Sequence, residues 1–242
     1  MNQILLIIKR ELRAFFNTWM GYLIAAATLF INGLLFHSFA LGSTADYSAN
    51  ILYRFFYMSS GIAMVAGLLL AMRLIAEEKQ TGTLTLYFTS PISSQALIYG
   101  KFLSTVLFFL VLQVLTLYLP AIIFWLGKIS IGHLLVGYLG TTLLGMTVIA
   151  ISLFASVIAP NQLLAAFFAT LFTVGLLTLW MLSSMVDNPF RDLFSYLAIH
   201  NDHFTPFGKG ILHLKHVVFY LSVMIFFLEC GVRTLEARRV EG

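Results

Sequence analysis

Residues 129–186 read ISIGHLLVGYLGTTLLGMTVIAISLFASVIAPNQLLAAFFATLFTVGLLTLWMLSSMV, 58 consecutive positions without an Asp, Glu, Lys or Arg. The run is too long for one bilayer crossing, because a hydrocarbon core of about 30 Å takes about 20 helical residues. It is interrupted at its middle by Pro160-Asn161-Gln162. The sequence therefore predicts two membrane-spanning helices joined by a tight turn.

Further apolar runs predict an all-α, polytopic membrane protein with six transmembrane helices, in a single domain covering residues 1–242. The predicted spans are residues 20–41, 52–75, 102–126, 134–158, 163–185 and 213–232. Lys101 and Lys128 bound the third span, and Asp187-Asn188-Pro189 ends the fifth by turn chemistry.

The composition excludes a water-soluble globule, since 60% of the residues are hydrophobic, 10% are charged and the mean hydropathy is +0.94. The net charge of +4 does not indicate a nucleic-acid partner, because the positive residues flank the apolar runs and form no basic stripe. The single cysteine, Cys230, permits no internal disulfide. The composition thus predicts that the chain lies in a lipid bilayer and has lipid as its partner.

The distribution of Lys and Arg predicts that both termini are cytoplasmic. With six crossings and a cytoplasmic amino end, nine of the fourteen positive residues fall inside: Lys9, Arg10, Arg13, Arg73, Lys79, Lys101, Arg233, Arg238 and Arg239. The others fall outside: Arg54, Lys128, Arg191, Lys209 and Lys215. Five or seven crossings would place the two basic ends of the chain on opposite sides of the membrane. Much of the excess of Lys and Arg on the cytoplasmic side would then be lost.

Residues 1–18 are predicted to form an amphipathic helix on the inner leaflet, because apolar side chains recur at helical spacing opposite a polar face. The apolar positions are Ile4, Leu5, Ile8, Leu12, Phe15 and Phe16, and the polar ones are Gln3, Lys9, Arg10, Arg13 and Asn17. Two roles are open for this helix. It is either a simple anchor whose cations touch lipid headgroups or an elbow that carries force into the first span.

Small residues recur every four positions on two of the spans, a spacing that lets helix backbones approach closely in lipid. They are Ala63, Gly67 and Ala71 on the second span and Gly137, Thr141 and Gly145 on the fourth. We predict that these rows pack helices together rather than line a substrate path. Glu229, in the sixth span, is predicted to lie either at the inner interface or at hydrocarbon depth with Arg233 as its partner.

The predicted extracytoplasmic segment 184–212 alternates apolar and polar residues, as short amphipathic helices at a membrane interface do. Four of the six histidines lie in or beside it, in two pairs with i,i+3 spacing: His200 and His203, and His213 and His216. Because no cysteine or third clear ligand accompanies them, the pattern predicts an interfacial role and no metal site.

The polar connection between the second and third spans, residues 76–101, contains AEEKQTGTL at 76–84 and TSPIS at 89–93. Gly82 suits the end of a helix at positive φ, and Ser90-Pro91 suits a helix start. The pattern predicts a helix, a break and a second helix that re-enters the membrane. Composition alone is also compatible with an ordinary solvated connector.

These two motifs resemble the membrane subunit of ABC type-2 transporters. Near the C-terminus, HF at 203–204, FGKG at 207–210, VVFYLS at 217–222 and RTLEARR at 233–239 are similar to the GldF-like branch of gliding-associated permeases. The resemblance implies a permease subunit in the bacterial cytoplasmic (inner) membrane, working in export and lacking an ATPase site of its own.

The same resemblance implies that other subunits supply the ATPase activity. Two cytoplasmic ABC ATPase subunits would bind ATP and Mg, and a second permease subunit, either a copy or a GldG-like chain, would complete the transporter. The chain contains no G-x-x-x-x-G-K-[ST] phosphate loop, and we expect no cofactor in it. By resemblance, the ATPase-coupling residues are Glu77, Glu78, Gly82, Thr83 and Pro91. Thr85 departs from the family pattern, which often has Glu at that position.

Three functional hypotheses follow. The first is an export permease driven by separate ATPase subunits. The second is a membrane anchor that transports nothing and transmits ATPase work to an extracytoplasmic machine, as the gliding-associated resemblance allows. The third is a polytopic membrane enzyme that uses the histidine-rich outer segment, although no catalytic carboxylate or nucleophile constellation accompanies it.

Overall fold

The computed structural model describes residues 3–41, 48–126 and 130–241, so Lys128 lies outside the described residues. All regular structure within these ranges is helical. Within the described residues, six stretches are long and apolar enough to cross a membrane: Trp19–Ser38, Ala49–Gln80, Ser94–Trp125, Ile131–Ile158, Gln162–Ser183 and Leu214–Val240. The predicted all-α polytopic fold is confirmed.

Helices α1 to α12 follow one another along the described residues. The first six are α1 (Gln3–Asn17), α2 (Trp19–Leu35), α3 (Ser48–Ala71), α4 (Ala76–Gln80), α5 (Leu84–Thr89) and α6 (Ser94–Leu115). The others are α7 (Tyr118–Leu126), α8 (Ile131–Ile158), α9 (Gln162–Ser183), α10 (Phe190–Leu197), α11 (Asn201–Gly208) and α12 (Leu214–Glu241). A π-helical turn, Phe36–Leu41, extends α2.

Helix α8 lies at the centre of the bundle and packs against α3, α6, α9, α11 and α12. Glycines on α8 make this close packing possible. A Cβ on Gly137 would overlap the Phe56 ring of α3 at 2.2 Å, and a Cβ on Gly140 would overlap the Phe207 side chain of α11 at 2.4 Å. The rings of neighbouring helices therefore occupy the space that larger side chains on α8 would fill.

The two predicted rows of small residues meet where α3 crosses α8. A Cβ on Gly67 would lie 3.2 Å from the carbonyl oxygen of Gly145. Ala63, Ala71 and Thr141, from the same rows, are also buried. Lipid provides no hydrophobic drive between helices, so dispersion across such close contacts is what holds the two helices together.

Helix α6 begins at Ser94, before the predicted start of the third span. Its N-cap is Ser93, whose hydroxyl accepts a hydrogen bond from the Ala96 amide at 3.1 Å. The expected cap, Ser90, instead has an extended backbone and follows the end of α5. Side chains from α1 and α12 bind the carbonyls of residues 90–92, which keeps those carbonyls out of a helix.

Helix α12 continues past the predicted end of the sixth span at residue 232. Its last turns are held in place because Leu235 is fully buried and Arg238 donates to the Ile158 carbonyl at 3.0 Å. The third span is also interrupted, since a turn at residues 116–117 separates α6 from α7. The extension of α12 depends on contacts between helices, whereas the break follows from the local sequence, because Pro120 has no amide hydrogen to donate to the Thr116 carbonyl.

Polar side chains within the bundle bind one another across helices. Ser59 of α3 donates to the Asn32 side-chain oxygen of α2 at 2.9 Å. Tyr99 of α6 donates to the Glu229 carboxylate of α12 at 2.6 Å. The partner of Glu229 is therefore a hydroxyl on another helix rather than Arg233, one turn along its own helix.

Candidate functional site

The start of α1, the end of α12 and segment 76–93 lie on one face of the bundle, which we call the terminal face. Gln3, in the first turn of α1, donates to the Pro91 carbonyl at 2.9 Å. Arg239, in the last turn of α12, donates to the Phe88 carbonyl at 3.0 Å. The connection between α9 and α12, residues 184–213, lies on the opposite face.

Segment 76–93 consists of two short helices separated by a sharp turn. Helix α4 ends at Gln80 with Thr81 as its C-cap, and Gly82 follows with φ +72°, the left-handed conformation that glycine adopts without strain. The Thr83 hydroxyl donates back to the Glu78 carbonyl at 3.3 Å, which tightens the turn before α5. The predicted break at Gly82 is confirmed.

The predicted ATPase-coupling residues fall into two groups. Glu77, Gly82, Thr83 and Pro91 are exposed on the terminal face. Glu78 is only 7% exposed and turns inward, toward α1 and α6. Four of the five residues are therefore available to a partner, whereas Glu78 contacts other parts of the chain.

Glu78 belongs to a buried charge network that joins three helices. The Lys101 ammonium group of α6 lies 2.8 Å from the Glu78 carboxylate of α4 and 3.0 Å from the Glu11 carboxylate of α1. Arg10 of α1 lies 3.6 Å from Glu78. Lys101 itself is 1% exposed. Two carboxylates and a fully buried cation thus hold α1 and α4 against α6.

Sequence reasoning placed Lys101 only as the boundary of a span and missed this network. Glu11 and Lys101 are 90 residues apart, and Glu78 comes from a third helix. A lysine at the end of an apolar run ordinarily extends to the membrane surface. The sequence contains no spacing signal that would have brought these three residues together.

Helix α1 contacts segment 76–93 at a second place. Gln3 donates to the Pro91 carbonyl and accepts from the Ser93 amide at 3.4 Å. The Arg10 guanidinium lies 5.3 Å from the centre of the Tyr87 ring of α5. The amphipathic helix is therefore attached to the segment along its length, a geometry that suits an elbow better than a simple lipid anchor.

Helix α4 is attached to the end of the central helix α8. The Ser156 hydroxyl of α8 accepts from the backbone amides of Ile75 and Ala76, at 3.0 and 2.8 Å. Lys79 donates to the carbonyls of Val157 and Ala159 beyond it, the latter at 2.8 Å. Side chains of each helix thus bind the backbone groups that the other helix leaves unpaired at its terminus. We therefore expect α4 and the end of α8 to move together.

On the opposite face, the histidines hold α10 and α11 onto the bundle. His200 lies 2.8 Å from the Ser60 hydroxyl of α3, and His203 lies 2.9 Å from His216 of α12. His203 also bonds the Tyr196 carbonyl at 2.8 Å, so its Nε2 carries the proton and its Nδ1 accepts from His216.

The pairs differ from those that helical spacing predicted. His203 and His216 bond across two helices, and His213 is exposed. Among the described residues, no three His, Cys, Asp or Glu side chains are arranged to hold a metal ion. Every histidine bond described here serves packing, and no observation favours the enzyme hypothesis.

Acidification is expected to loosen this opposite face. Burial lowers the pKa of both His200 and His203, and for His203 nearby Lys215 lowers the pKa further while Asp202 and the Tyr196 carbonyl oppose the shift. The unfolded chain then binds protons near pH 6.5 that the folded protein does not, so stability falls as pH drops below about 6.5.

The measurement is the melting temperature of the detergent-solubilised protein between pH 7.5 and 5. A neutral replacement at both sites, His200→Gln with His203→Gln, should flatten the slope, by up to about 1.4 kcal/mol per pH unit for each histidine. His213→Gln, at an exposed site, is the matched control and should keep the parental slope. An unchanged slope in the double variant would contradict the assignment.

The geometry at the terminal face can be compared with known families. A family profile described as "ABC-2 family transporter protein" matches residues 11–224, from α1 into α12. The chain belongs to the ABC-2 transporter family. No curated protein matches it significantly.

As an ABC-2 protein, the chain is a multi-pass membrane subunit of an ABC transporter and is not itself the ATPase. Family membership implies ATPase subunits as partners. The matched range contains the whole of segment 76–93, including the exposed residues Glu77, Gly82, Thr83 and Pro91.

Proposed function

We propose that this ABC-2 protein is the permease subunit of an exporter in the bacterial cytoplasmic membrane, with the terminal face in the cytoplasm. Two cytoplasmic ATPase subunits bind ATP and Mg, and a second permease subunit, a copy or a GldG-like chain, completes the membrane part. One observation carries the proposal: α5 exposes Thr85, Leu86 and Thr89 on the terminal face while the residues around it are bonded to α6, α8 and α12.

The proposed docking surface consists of exposed residues of segment 76–93. Leu86 of α5 is apolar and yet 67% exposed, as expected of a side chain that enters a pocket on a partner. Glu77 of α4 offers an exposed carboxylate in the same segment, and Thr83 and Pro91 are exposed on either side of α5. Thr85 is neutral, so Glu77 is the charged group of this surface.

Glu78 has a different role in the proposal. Its carboxylate binds Lys101 and supports the docking surface from behind, without contacting the ATPase. A push on α5 and α4 then reaches α8 through Ser156 and Lys79 and reaches α1 through Glu78 and Gln3. Helices packed through small residues move as rigid bodies and change access between the two leaflets.

The motifs at 203–210, 217–222 and 233–239 support placing the chain in the GldF-like branch. That resemblance supports the second hypothesis, an anchor that transmits ATPase work to an extracytoplasmic machine and moves no cargo. Stimulation of ATPase activity by cargo in reconstituted vesicles discriminates the two, because an anchor without cargo shows none.

Disrupting the docking surface is expected to release the ATPase subunit. Leu86→Asp places a charge where an apolar side chain enters the partner and should weaken association by about 2 kcal/mol or more. Glu77→Lys reverses the exposed charge and should raise the Kd roughly tenfold, or ~1.4 kcal/mol. The measurement is copurification of tagged permease from host membranes, with the ATPase identified by its phosphate-loop sequence and quantified per permease.

The matched control is Glu236→Lys, the same charge reversal at an exposed position of α12. It should keep the parental amount of ATPase. If Leu86→Asp and Glu77→Lys also keep it, docking does not occur through segment 76–93 and the proposed function fails at this point.

A further inference from the structure

The last turn of α12 binds the end of α5 through a single arginine. The Arg239 guanidinium donates to the carbonyls of Ile92, Phe88 and Ser90, at 2.8, 3.0 and 3.0 Å. Three acceptors around one planar group require several donors in fixed directions. Arginine supplies five such donors, whereas lysine has one ammonium group with no fixed plane.

The same stretch is held from another side by α1. Gln3 binds the Pro91 carbonyl and the Ser93 amide, between and beyond the carbonyls that Arg239 takes. Successive carbonyls of residues 90–92 therefore go to different helices, near opposite ends of the chain. The exit from α5 has no helical hydrogen bonds of its own at these carbonyls and depends on these two side chains for its position.

We propose that Arg239 is a positioning residue for coupling, which fixes the orientation of α5 and joins it directly to the sixth membrane helix. This inference rests on the proposed function, because it adds a route for a push on α5 to those that lead to α8 and to α1. The added route runs through Arg239 into α12, which packs along α8 and binds α6 through Glu229.

The added route has a mechanical consequence. Among the described residues, Arg239 makes the side-chain hydrogen bonds that join α12 to α5 and to the residues just after it. With Arg239 in place, a displacement of the docking surface moves α12 as well as α8. Loss of this contact should reduce the work that each docked ATPase transmits.

The contact itself can be tested on the permease alone in lipid nanodiscs. Spin labels at Leu86→Cys and Glu236→Cys, in a Cys230→Ser background, report the distance between α5 and α12. We expect one narrow distribution in the parent, a broad one in Arg239→Ala and an intermediate one in Arg239→Lys. Arg233→Ala, which removes the same charge from an exposed position of α12, is the control and should keep the narrow distribution.

The transmission of movement from α5 to α12 is tested on the unlabelled permease, copurified with its own ATPase. Arg239→Ala should lose about fivefold or more of the stimulation that the permease gives to ATP hydrolysis, measured per copurified ATPase. Arg239→Lys, which keeps the positive charge, should lose part of this stimulation of ATP hydrolysis. A melting temperature close to the parent's separates this effect from unfolding.

Two results would overturn the inference: a narrow distance distribution in Arg239→Ala, or full ATPase stimulation in that variant despite a broad one. Failure of the proposed function has a different signature, since it appears as ATPase retention in Leu86→Asp. The distance measurement needs no ATPase and is therefore decided independently of docking.

Discussion

Replacing Lys101 with Met is expected to destabilise the protein by about 3 kcal/mol or more, because the substitution leaves Glu11 and Glu78 in a buried site without their shared cation. Arg10, which lies 3.6 Å from Glu78, is largely exposed and compensates only in part. At about 2–4 °C per kcal/mol for a chain of this length, the melting temperature in detergent should fall by roughly 6 °C or more.

Two further variants make the Lys101 prediction specific. Lys9→Met removes the same charge from an exposed position of α1 and should melt with the parent. Adding Glu11→Gln and Glu78→Gln to Lys101→Met removes the uncompensated charges and should restore most of the stability. The network is not what holds α1 and α4 to α6 if Lys101→Met melts with Lys9→Met.

Replacing Gly67 with Leu is expected to separate α3 from α8 and to cost about 1–3 kcal/mol. A Cβ at this position lies 3.2 Å from both the Gly145 carbonyl and the Ile149 side chain, so the remaining leucine atoms have no space. Gly67→Ala adds only the Cβ and should show a smaller loss. The measurement is again the melting temperature in detergent, together with transport-coupled ATPase activity of the complex.

The control for Gly67 lies on the same helix. A Cβ on Gly61 of α3 would meet nothing within 4 Å. Gly61→Leu should therefore be tolerated, and it gains helix propensity relative to glycine. Equal melting temperatures for the Gly61 and Gly67 leucine variants would show that the close approach to Gly145 is not needed for packing.

Sequence reasoning was most reliable where a feature depends on neighbouring residues. The left-handed break at Gly82 is such a case, because φ +72° is a local property that glycine favours. Helix α1 is another, since its apolar spacing alone predicts its amphipathic character. The start of α6 was misplaced because the cap at Ser93 depends on what binds residues 90–92 from distant helices.

The charged residues show most clearly what the sequence alone does not predict. Sequence position assigned Lys101 to a membrane boundary, and family resemblance assigned Glu78 to a docking surface. In the structure they bind each other, and Glu229 binds Tyr99 from 130 residues away. Which charges pair depends on the order of helices around the bundle, and hydrophobic periodicity does not contain that order.

The amino-acid sequence alone establishes six crossings and an all-α fold, because each apolar run must match the thickness of the hydrocarbon core and satisfy its own backbone hydrogen bonds. The tertiary structure adds which surfaces remain free and which residues bind across the bundle. Arg239 and Phe88 are 151 residues apart, and only the packing of α12 beside α5 brings them into contact.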